Sequence, residues 1–205
     1  MILFFGDSIT EGDNCDCSYT DFLPPELDVE NYAISGTTIG EYSIYPVDGH
    51  SLLSQISKYK RDISKADTIY IEYGANDVSA IMCGFATMQT VIVSLVKAID
   101  WIRQLNSNAK IIFLQLGNDK VIEQHSENMC DYLENDYFSA FNFKFPKTVY
   151  QHLYTEFIAN VWKICNNVKN MFDDEMIENM SDYISDDNIH PNREGHKRIA
   201  RNIMK

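Results

Sequence analysis

Short apolar runs alternate with amphipathic helical patterns along almost the whole chain, and this alternation restricts the possible folds most strongly. Four apolar residues at Ile2–Phe5 end at Gly6, which predicts a buried strand. Apolar residues recur at helical spacing over residues 50–63, and a β-branched and aromatic run at residues 68–73 predicts another strand. Strands that alternate with helices predict a parallel sheet covered by helices on both faces.

The remaining predicted elements continue in the same order. Further strands are predicted at residues 28–34, 111–116 and 168–172. Further helices are predicted at residues 88–102, 121–138 and 148–166, and a last helix begins near Pro191 and Asn192. A chain of 205 residues with no internal repeat and no linker-like segment is expected to form a single domain over residues 1–205.

Polar and small residues follow three of the predicted strands. Gly-Asp-Ser stands at residues 6–8, Ser-Gly-Thr at residues 35–37 and Gly-Ala-Asn-Asp at residues 74–77. Ligands of parallel sheets bind beyond the carboxyl ends of the strands. We therefore expect these three segments to meet at one edge of the sheet.

Ser8, Asp187 and His190 are candidates for nucleophilic catalysis. A serine hydroxyl becomes an effective nucleophile when a base takes its proton, and a neutral imidazole can do so near neutral pH. A carboxylate on the other ring nitrogen fixes the tautomer of the imidazole, and Asp187 shares a short predicted loop with His190. Taken singly, Gly-Asp-Ser also fits an ordinary turn, and Asp187 and His190 also fit a capped turn with a solvated histidine.

Gly36 and Asn76 are candidates for an oxyanion hole. Attack on an ester carbonyl places negative charge on its oxygen, and N–H donors already in position lower the barrier. A glycine lets the backbone N–H approach a ligand closely, the Asn76 side chain offers a second donor, and the Ser8 N–H offers a third. Taken singly, Gly36 also fits a turn glycine, and Asn76 also fits a helix N-cap.

These motifs occur together in an order that is typical of one family. Gly-Asp-Ser, then a glycine, then Gly-x-Asn-Asp, then Asp-x-x-His closely resemble the SGNH (GDSL-type) hydrolases, from Gly6 to the final helix. The resemblance implies a three-layer α/β/α sandwich with a five-stranded parallel sheet of the flavodoxin-like type. The residues that it implies for catalysis are Ser8, Asp187 and His190, and those for the oxyanion hole are Ser8, Gly36 and Asn76. The second motif departs from the family pattern, because Ala33 stands where many members carry glycine.

The function implied by the resemblance is hydrolysis of a carboxylic ester through an acyl-enzyme. Members of the family cleave lipid esters, thioesters and acetyl groups on carbohydrates. We expect a short-acyl, acetyl-type esterase acting on a small soluble or carbohydrate substrate, because the net charge of -13 disfavours anionic phospholipid surfaces. The alternatives are a lysophospholipase or thioesterase of the same family, or an inactive binding module with this fold.

Two other classes of enzyme fit the sequence less well. An α/β-hydrolase needs a Gly-x-Ser-x-Gly elbow, and Thr10 stands where that elbow has its second glycine. A metal-dependent phosphoesterase would need a ligand set, and the motif residues available for one are Asp7, Asn76, Asp77, Asp187 and His190. A single motif histidine disfavours that set, and we expect no metal and no cofactor.

Composition restricts the partners and the location. Acidic residues number 30 and basic residues 17, which opposes binding to nucleic acid. The 5 cysteines match neither a zinc ribbon nor a disulfide framework. We see no signal peptide and no apolar stretch of the roughly 20 residues that a membrane-spanning helix needs, so a cytoplasmic protein without stable membrane insertion is expected.

Three further features invite interpretation. Aromatic residues concentrate between residues 132 and 162; they fit helix faces that pack on the sheet better than a pocket wall formed by residues 141–145. Cys15 and Cys17 follow Ser8 closely, and we interpret them as ordinary reduced thiols near the pocket entrance. His196 is expected to be an ordinary surface histidine of the last helix; the alternative is that it faces the site from that helix.

Overall fold

Parallel strands form one five-stranded sheet in the structure, a computed structural model that describes residues 1–42, 44, 50–137 and 144–205. The strands are β1 (Ile2–Phe5), β2 (Val29–Asn31), β3 (Thr68–Glu72), β4 (Lys110–Gln115) and β5 (Val168–Asn170). Their order across the sheet is β2-β1-β3-β4-β5, and each neighbouring pair is parallel. This order has its topological switch point beside β1, so the carboxyl end of β1 is where a ligand site is expected.

The helices connect the strands and follow the last one. In the described part of the chain the α-helices are α1 (Ser8–Glu11), α2 (Leu52–Lys58), α3 (Lys60–Ile63), α4 (Ala75–Met82), α5 (Met88–Leu105), α6 (Asp119–Tyr132), α7 (Lys147–Ile164), α8 (Asp174–Glu178), α9 (Met180–Tyr183) and α10 (Arg193–Met204). A 3₁₀ helix covers Tyr19–Phe22, and a π-helical turn covers Leu133–Tyr137. No helix among the described residues is long and apolar enough to cross a membrane.

The helices cover both faces of the sheet. On one face α10 packs against the 3₁₀ helix, and on the other α2, α5 and α7 pack against one another in series. Successive residues of β1 point to these opposite faces. Phe4 stacks on Tyr70 with ring centroids 4.6 Å apart, whereas Phe5 faces Tyr32 and Tyr59. The predicted fold class, a three-layer α/β/α sandwich with a five-stranded parallel sheet, is confirmed.

Several predicted elements differ from the observed ones at their ends. The helix predicted at residues 50–63 is divided into α2 and α3 at Tyr59, whose ring stacks on Tyr32 at 3.7 Å between centroids. The helix predicted at residues 121–138 leaves the α-helical form after Tyr132. The strand predicted at residues 168–172 ends as a regular strand at Asn170. Met171 and Phe172 still donate backbone hydrogen bonds, to Gln115 at the end of β4 and to Leu116 just after it.

The sequence pattern did not reveal α4. All of its first six residues are buried, so it lacks the alternation of apolar and polar faces that marks a surface helix. The expectation for His196 was wrong: its side chain is completely buried in α10, and its ring lies against Tyr19 with centroids 6.3 Å apart. It lies inside because this face of α10 packs on the 3₁₀ helix that contains Tyr19.

Candidate active site

Ser8 begins the short helix α1 directly after the carboxyl end of β1. Asp7 is the N-cap of this helix, and its Oδ1 accepts a hydrogen bond from the Ile9 N–H at 3.1 Å. The helix ends at Gly12, whose φ of 97° lies in the left-handed region. A Cβ at Gly12 would lie 2.4 Å from the Cys17 carbonyl oxygen, so the turn requires glycine. The single helical turn therefore holds Ser8 at the carboxyl end of β1, and the chain turns at Gly12 so that Asp13 lines the same cavity as Ser8.

Ser8, His190 and Asp187 are connected by hydrogen bonds. The distance from Ser8 Oγ to His190 Nε2 is 2.8 Å, and that from His190 Nδ1 to Asp187 Oδ2 is 2.5 Å. The other carboxylate oxygen of Asp187 accepts the backbone N–H groups of Ile189 and His190, at 2.9 and 3.0 Å. The two-residue spacer between acid and base thus allows one turn to hold both side chains. The structure brings these three predicted residues together.

The surroundings of His190 raise its pKa, and those of Asp187 lower its pKa. Burial favours neutral His190, but the hydrogen bond and the charge of Asp187 outweigh it, and the pKa of His190 is raised above its ordinary value. Burial also opposes ionisation of Asp187, but hydrogen bonds from the His190 side chain and backbone outweigh it and lower the pKa of Asp187. Asp187 is therefore ionised at neutral pH and stabilises a proton on His190.

Gly36 and Asn76 lie with Ser8 around one cavity of about 290 Å³. Gly36 has a φ of 73°, in the left-handed region. The N-cap of α4 is Gly74, so Asn76 is within the first turn and is not the cap. Asn76 Nδ2 donates to the Thr37 carbonyl oxygen at 3.0 Å and lies 3.3 Å from Asp7 Oδ2. An oxyanion would compete with Asp7 for the second hydrogen of this amide.

Two cavities of different character meet at His190. The first is lined largely by apolar atoms, including those of Ile9, Ala75, Met129 and Ile189. The second, of about 690 Å³, shares Asp13, Tyr132 and His190 with the first. Its other walls are mostly amides and carboxylates, among them Asn14, Asn128, Asp131, Asn135 and Asp186. The site can therefore accept an apolar group on one side of His190 and a polar, uncharged or cationic group on the other.

Sequence reasoning missed His125, which lies on α6 and lines the first cavity. Burial lowers the pKa of His125 to about 3, so the ring is neutral. Its Nε2 is buried and has no hydrogen-bond partner within the described residues. An isolated histidine in a helical pattern carries no signal that distinguishes this position from an ordinary core position.

A group of buried carboxyls lies behind the site, and it too was not predicted. Asp7, Glu72 and Asp77 are almost completely buried. Burial and the neighbouring Glu72 raise the pKa of Asp7 well above its ordinary value, and burial raises the pKa of Asp77 to about 7. Asp77 Oδ1 accepts from the Ile39 N–H and the Tyr42 hydroxyl. These acids act as structural acceptors beneath the loops that surround Ser8.

Potential metal ligands lie elsewhere. Among the described residues, the group whose ligand atoms lie within 4.8 Å of one another is Cys15, Asp16 and Cys17. The Sγ atoms of the two cysteines are 3.1 Å apart. Among the residues that the structure describes, Asp7, Asp77 and Asp187, the acids considered for a metal-dependent phosphoesterase, do not form a cluster of metal-ligand atoms with His190.

The aromatic residues of the segment from 132 to 162 have different positions. Tyr132 lines both cavities, whereas Tyr150, Tyr154 and Phe157 are buried in the core. Those three fit the interpretation that helix faces pack on the sheet. Of the alternative pocket wall at residues 141–145, residues 141–143 lie outside the described residues.

Comparison with known proteins gives a family and a fold. The sequence model of GDSL-like lipase/acylhydrolase matches residues 2–203. Comparison with curated protein sequences finds no match. Among solved structures, the lipase Lip_vut3 from goat rumen metagenome is 14% identical, with a TM-score of 0.65 over 99% of this chain and 95% of that chain.

Two other solved structures are similar over comparable lengths. A putative GDSL-like lipase from Parabacteroides merdae is 16% identical, with a TM-score of 0.59 over 99% of this chain and 93% of that chain. A catalytic mutant of Axe2, an acetylxylan esterase from Geobacillus stearothermophilus, is 17% identical, with a TM-score of 0.55 over 99% and 91%. At these identities the likeness concerns the fold.

Proposed function

The chain belongs to the GDSL-like lipase/acylhydrolase family, and we propose that it hydrolyses carboxylic esters with Ser8 as nucleophile, His190 as base and Asp187 as the acid that orients the base. The observation that carries the proposal is the continuous series of hydrogen bonds from Ser8 Oγ through the His190 ring to Asp187. This series opens into the cavity that Gly36 and Asn76 also line.

The first step forms an acyl-enzyme. Ser8 Oγ attacks the ester carbonyl carbon while His190 Nε2 takes the hydroxyl proton, and the carbonyl oxygen becomes an oxyanion. The 2.8 Å distance between these two atoms suits a direct proton transfer. The imidazolium that forms is stabilised by ionised Asp187, whose carboxylate faces Nδ1.

The oxyanion is held by the N–H groups of Ser8 and Gly36 and by the amide of Asn76. The bond from Asn76 to the Thr37 carbonyl orients this amide and leaves its second hydrogen for the oxyanion. Asp7 is the competing acceptor for that hydrogen. Because Asp7 is buried beside Glu72, its neutral form is favoured, and a neutral carboxyl accepts more weakly than an ionised one.

The tetrahedral intermediate then collapses to the acyl-enzyme. His190 gives its proton to the alcohol oxygen, the bond between that oxygen and the carbonyl carbon breaks, and the alcohol leaves. In the second half of the reaction a water molecule gives its proton to His190 and attacks the acyl carbon. The bond to Ser8 Oγ then breaks, the proton returns to Oγ, and the carboxylic acid is released.

The substrate class that we propose is a short-acyl ester of a small polyhydroxylated alcohol, such as an acetylated carbohydrate. The smaller, largely apolar cavity fits a short acyl group. The amides and carboxylates of the second cavity suit the hydroxyl groups of a sugar. The carboxylates of Asp13, Asp131 and Asp186 also repel anionic alcohols, which disfavours phospholipid and nucleotide-linked acyl donors.

A series of p-nitrophenyl esters of increasing chain length, measured alongside acetylated xylose and an acetylated oligosaccharide, tests this proposal. We expect the highest kcat/KM on acetate, release of acetate from the sugars, and no turnover by Ser8→Ala. If kcat/KM is highest for the long-chain esters, the protein is a lipase or thioesterase and not an acetyl esterase. If wild-type protein hydrolyses none of these esters, or Ser8→Ala is as active as wild type, the assignment of the reaction or of the nucleophile is wrong.

A further inference from the structure

The side chain of Asn14 contacts the Asp187 carboxylate, and its Nδ2 lies 3.3 Å from His190 Nδ1. Asn14 Nδ2 donates a hydrogen bond to Asp187 Oδ2 at 2.7 Å, and the same oxygen accepts from His190 Nδ1. We infer that Asn14 is a positioning residue that holds the Asp187 carboxylate for His190 and limits the basicity of that histidine. The inference rests on the proposed function, in which His190 is the base.

The backbone around Asn14 is shaped for this contact. Gly12 ends α1 in the left-handed region, and Asn14 follows with a φ of 58° in the same region. Among residues other than glycine, asparagine is one of those that adopt this conformation most readily. The Asn14 N–H donates to Asp13 Oδ1, and Asp13 Oδ2 accepts from the Ser35 hydroxyl, so the turn is tied to the loop that carries Gly36. The turn therefore delivers an amide donor to a carboxylate that is 173 positions away in sequence.

The contact completes the hydrogen bonding of the carboxylate. Asp187 Oδ1 accepts two backbone N–H groups, whereas Oδ2 accepts the imidazole and Asn14. Without Asn14, Oδ2 keeps only the imidazole of these two donors, so one hydrogen bond fewer holds the carboxylate in place. Its negative charge is then also less neutralised, so it stabilises the imidazolium more strongly.

The change in charge on Asp187 sets the direction in which the pKa of His190 is expected to move. A better stabilised imidazolium has a higher pKa, so removal of the Asn14 amide moves the acid limb of the pH–rate profile to higher pH. The other titratable groups that act on His190 lie before and after α1, on α6 and on α10, and all of them remain in the variant: Asp7, Asp13, His125 and His196. A loop that is merely loosened loses activity without this shift.

Asn14→Gly is the variant that tests the inference, because glycine keeps the left-handed backbone while the side chain with its amide is removed. The matched control is Asn188→Gly, since Asn188 also has a left-handed φ, of 61°, and lies in the loop of Asp187. The assay is kcat/KM for p-nitrophenyl acetate from mildly acidic to alkaline pH, with the fold of each variant followed by circular dichroism. For Asn14→Gly we expect kcat/KM to fall about tenfold, from the typical strength of a hydrogen bond to a charged group, and the acid limb to move to higher pH. For Asn188→Gly the acid limb stays at its wild-type position.

Two results overturn the inference. One is an Asn14→Gly enzyme with wild-type kcat/KM and an unmoved acid limb. The other is a folded Asn14→Gly enzyme whose activity falls while its acid limb stays in place, because that describes a structural role alone. Both results leave the proposed function standing, since that proposal fails separately if Ser8→Ala retains activity.

Discussion

Replacement of Asp187 by asparagine is expected to remove almost all activity while leaving the shape of the loop intact. The wild-type carboxylate accepts hydrogen bonds from two backbone N–H groups, from Asn14 Nδ2 and from His190 Nδ1. An asparagine side chain has one oxygen and one NH2 group. If its oxygen accepts the two backbone donors, its NH2 group faces two other donors, those of Asn14 and His190. The imidazole relieves this conflict by carrying its proton on Nε2, so it presents a donor to Ser8 Oγ and cannot accept the serine proton.

The magnitude follows from the loss of the correct tautomer. The same exchange in the serine protease that serves as the standard example of a triad lowers kcat about 10⁴-fold, and here the conflict between donors is of the same kind. At about 1.4 kcal/mol for each factor of ten, the barrier rises by about 5 kcal/mol. The cost in folding stability is much smaller, because the backbone donors keep an acceptor.

The measurement is kcat/KM for p-nitrophenyl acetate above the acid limb, with urea unfolding as the check on stability. Asp182→Asn is the matched control, since it removes the same charge at an exposed position five residues earlier in the chain. We expect Asp182→Asn to be as active as wild type. Asp187→Asn activity within tenfold of wild type would refute the role assigned to this carboxylate and the reasoning about the tautomer.

Three further outcomes are expected. For the wild-type enzyme, kcat/KM should fall as the pH drops through a pKa above the ordinary 6.5 of histidine, because the hydrogen bond and the charge of Asp187 raise the pKa of His190. A kcat/KM that is constant from pH 8 to pH 5 contradicts a histidine base. Gly12→Ala should lower both the esterase activity and the free energy of unfolding, the latter by about 1–2 kcal/mol. The backbone φ of 97° is unfavourable for alanine, and the added Cβ would lie 2.4 Å from the Cys17 carbonyl oxygen. Ester hydrolysis measures the first effect and urea unfolding the second. His196 is buried, and burial lowers its pKa to about 4 in the folded protein. Because the unfolded chain then binds a proton on His196 more readily than the folded protein does, the free energy of unfolding should decline as the pH falls from about 6.5 to about 4. His196→Phe should weaken that decline, and an unchanged slope in urea unfolding would show that other groups cause it.

Much of the fold was predictable because its signals are local. A run such as Ile2–Phe5 is apolar on both faces, as a strand covered on both sides must be, and Gly6 marks its end. The predictions of the strands at residues 68–73 and 111–116 rest on runs of the same kind. Local signals could not reveal α4, which is buried on nearly every side. Nor could they reveal the break at Tyr59, whose ring stacks on Tyr32, because the apolar spacing continues through that position.

The candidate site was predictable to the extent that its residues stand in motifs. Ser8, Gly36 and Asn76 each follow a strand, and Asp187 and His190 share a turn, so residue type and position single them out. Asn14 and His125 have no such signal. Their importance comes from what lies next to them, a carboxylate from the far end of the chain and a cavity wall.

The sequence by itself therefore determined the order of strands and helices and the motif residues at the strand ends, because apolar periodicity and turn chemistry act between near neighbours in the chain. Only the tertiary structure decided which distant side chains meet. It placed Asn14 against Asp187, buried His196 under the 3₁₀ helix, and enclosed Asp7 and Glu72 behind the nucleophile. These contacts depend on how segments far apart in sequence pack against one sheet, and burial together with the neighbouring charges and hydrogen-bond donors sets the pKa of each titratable group.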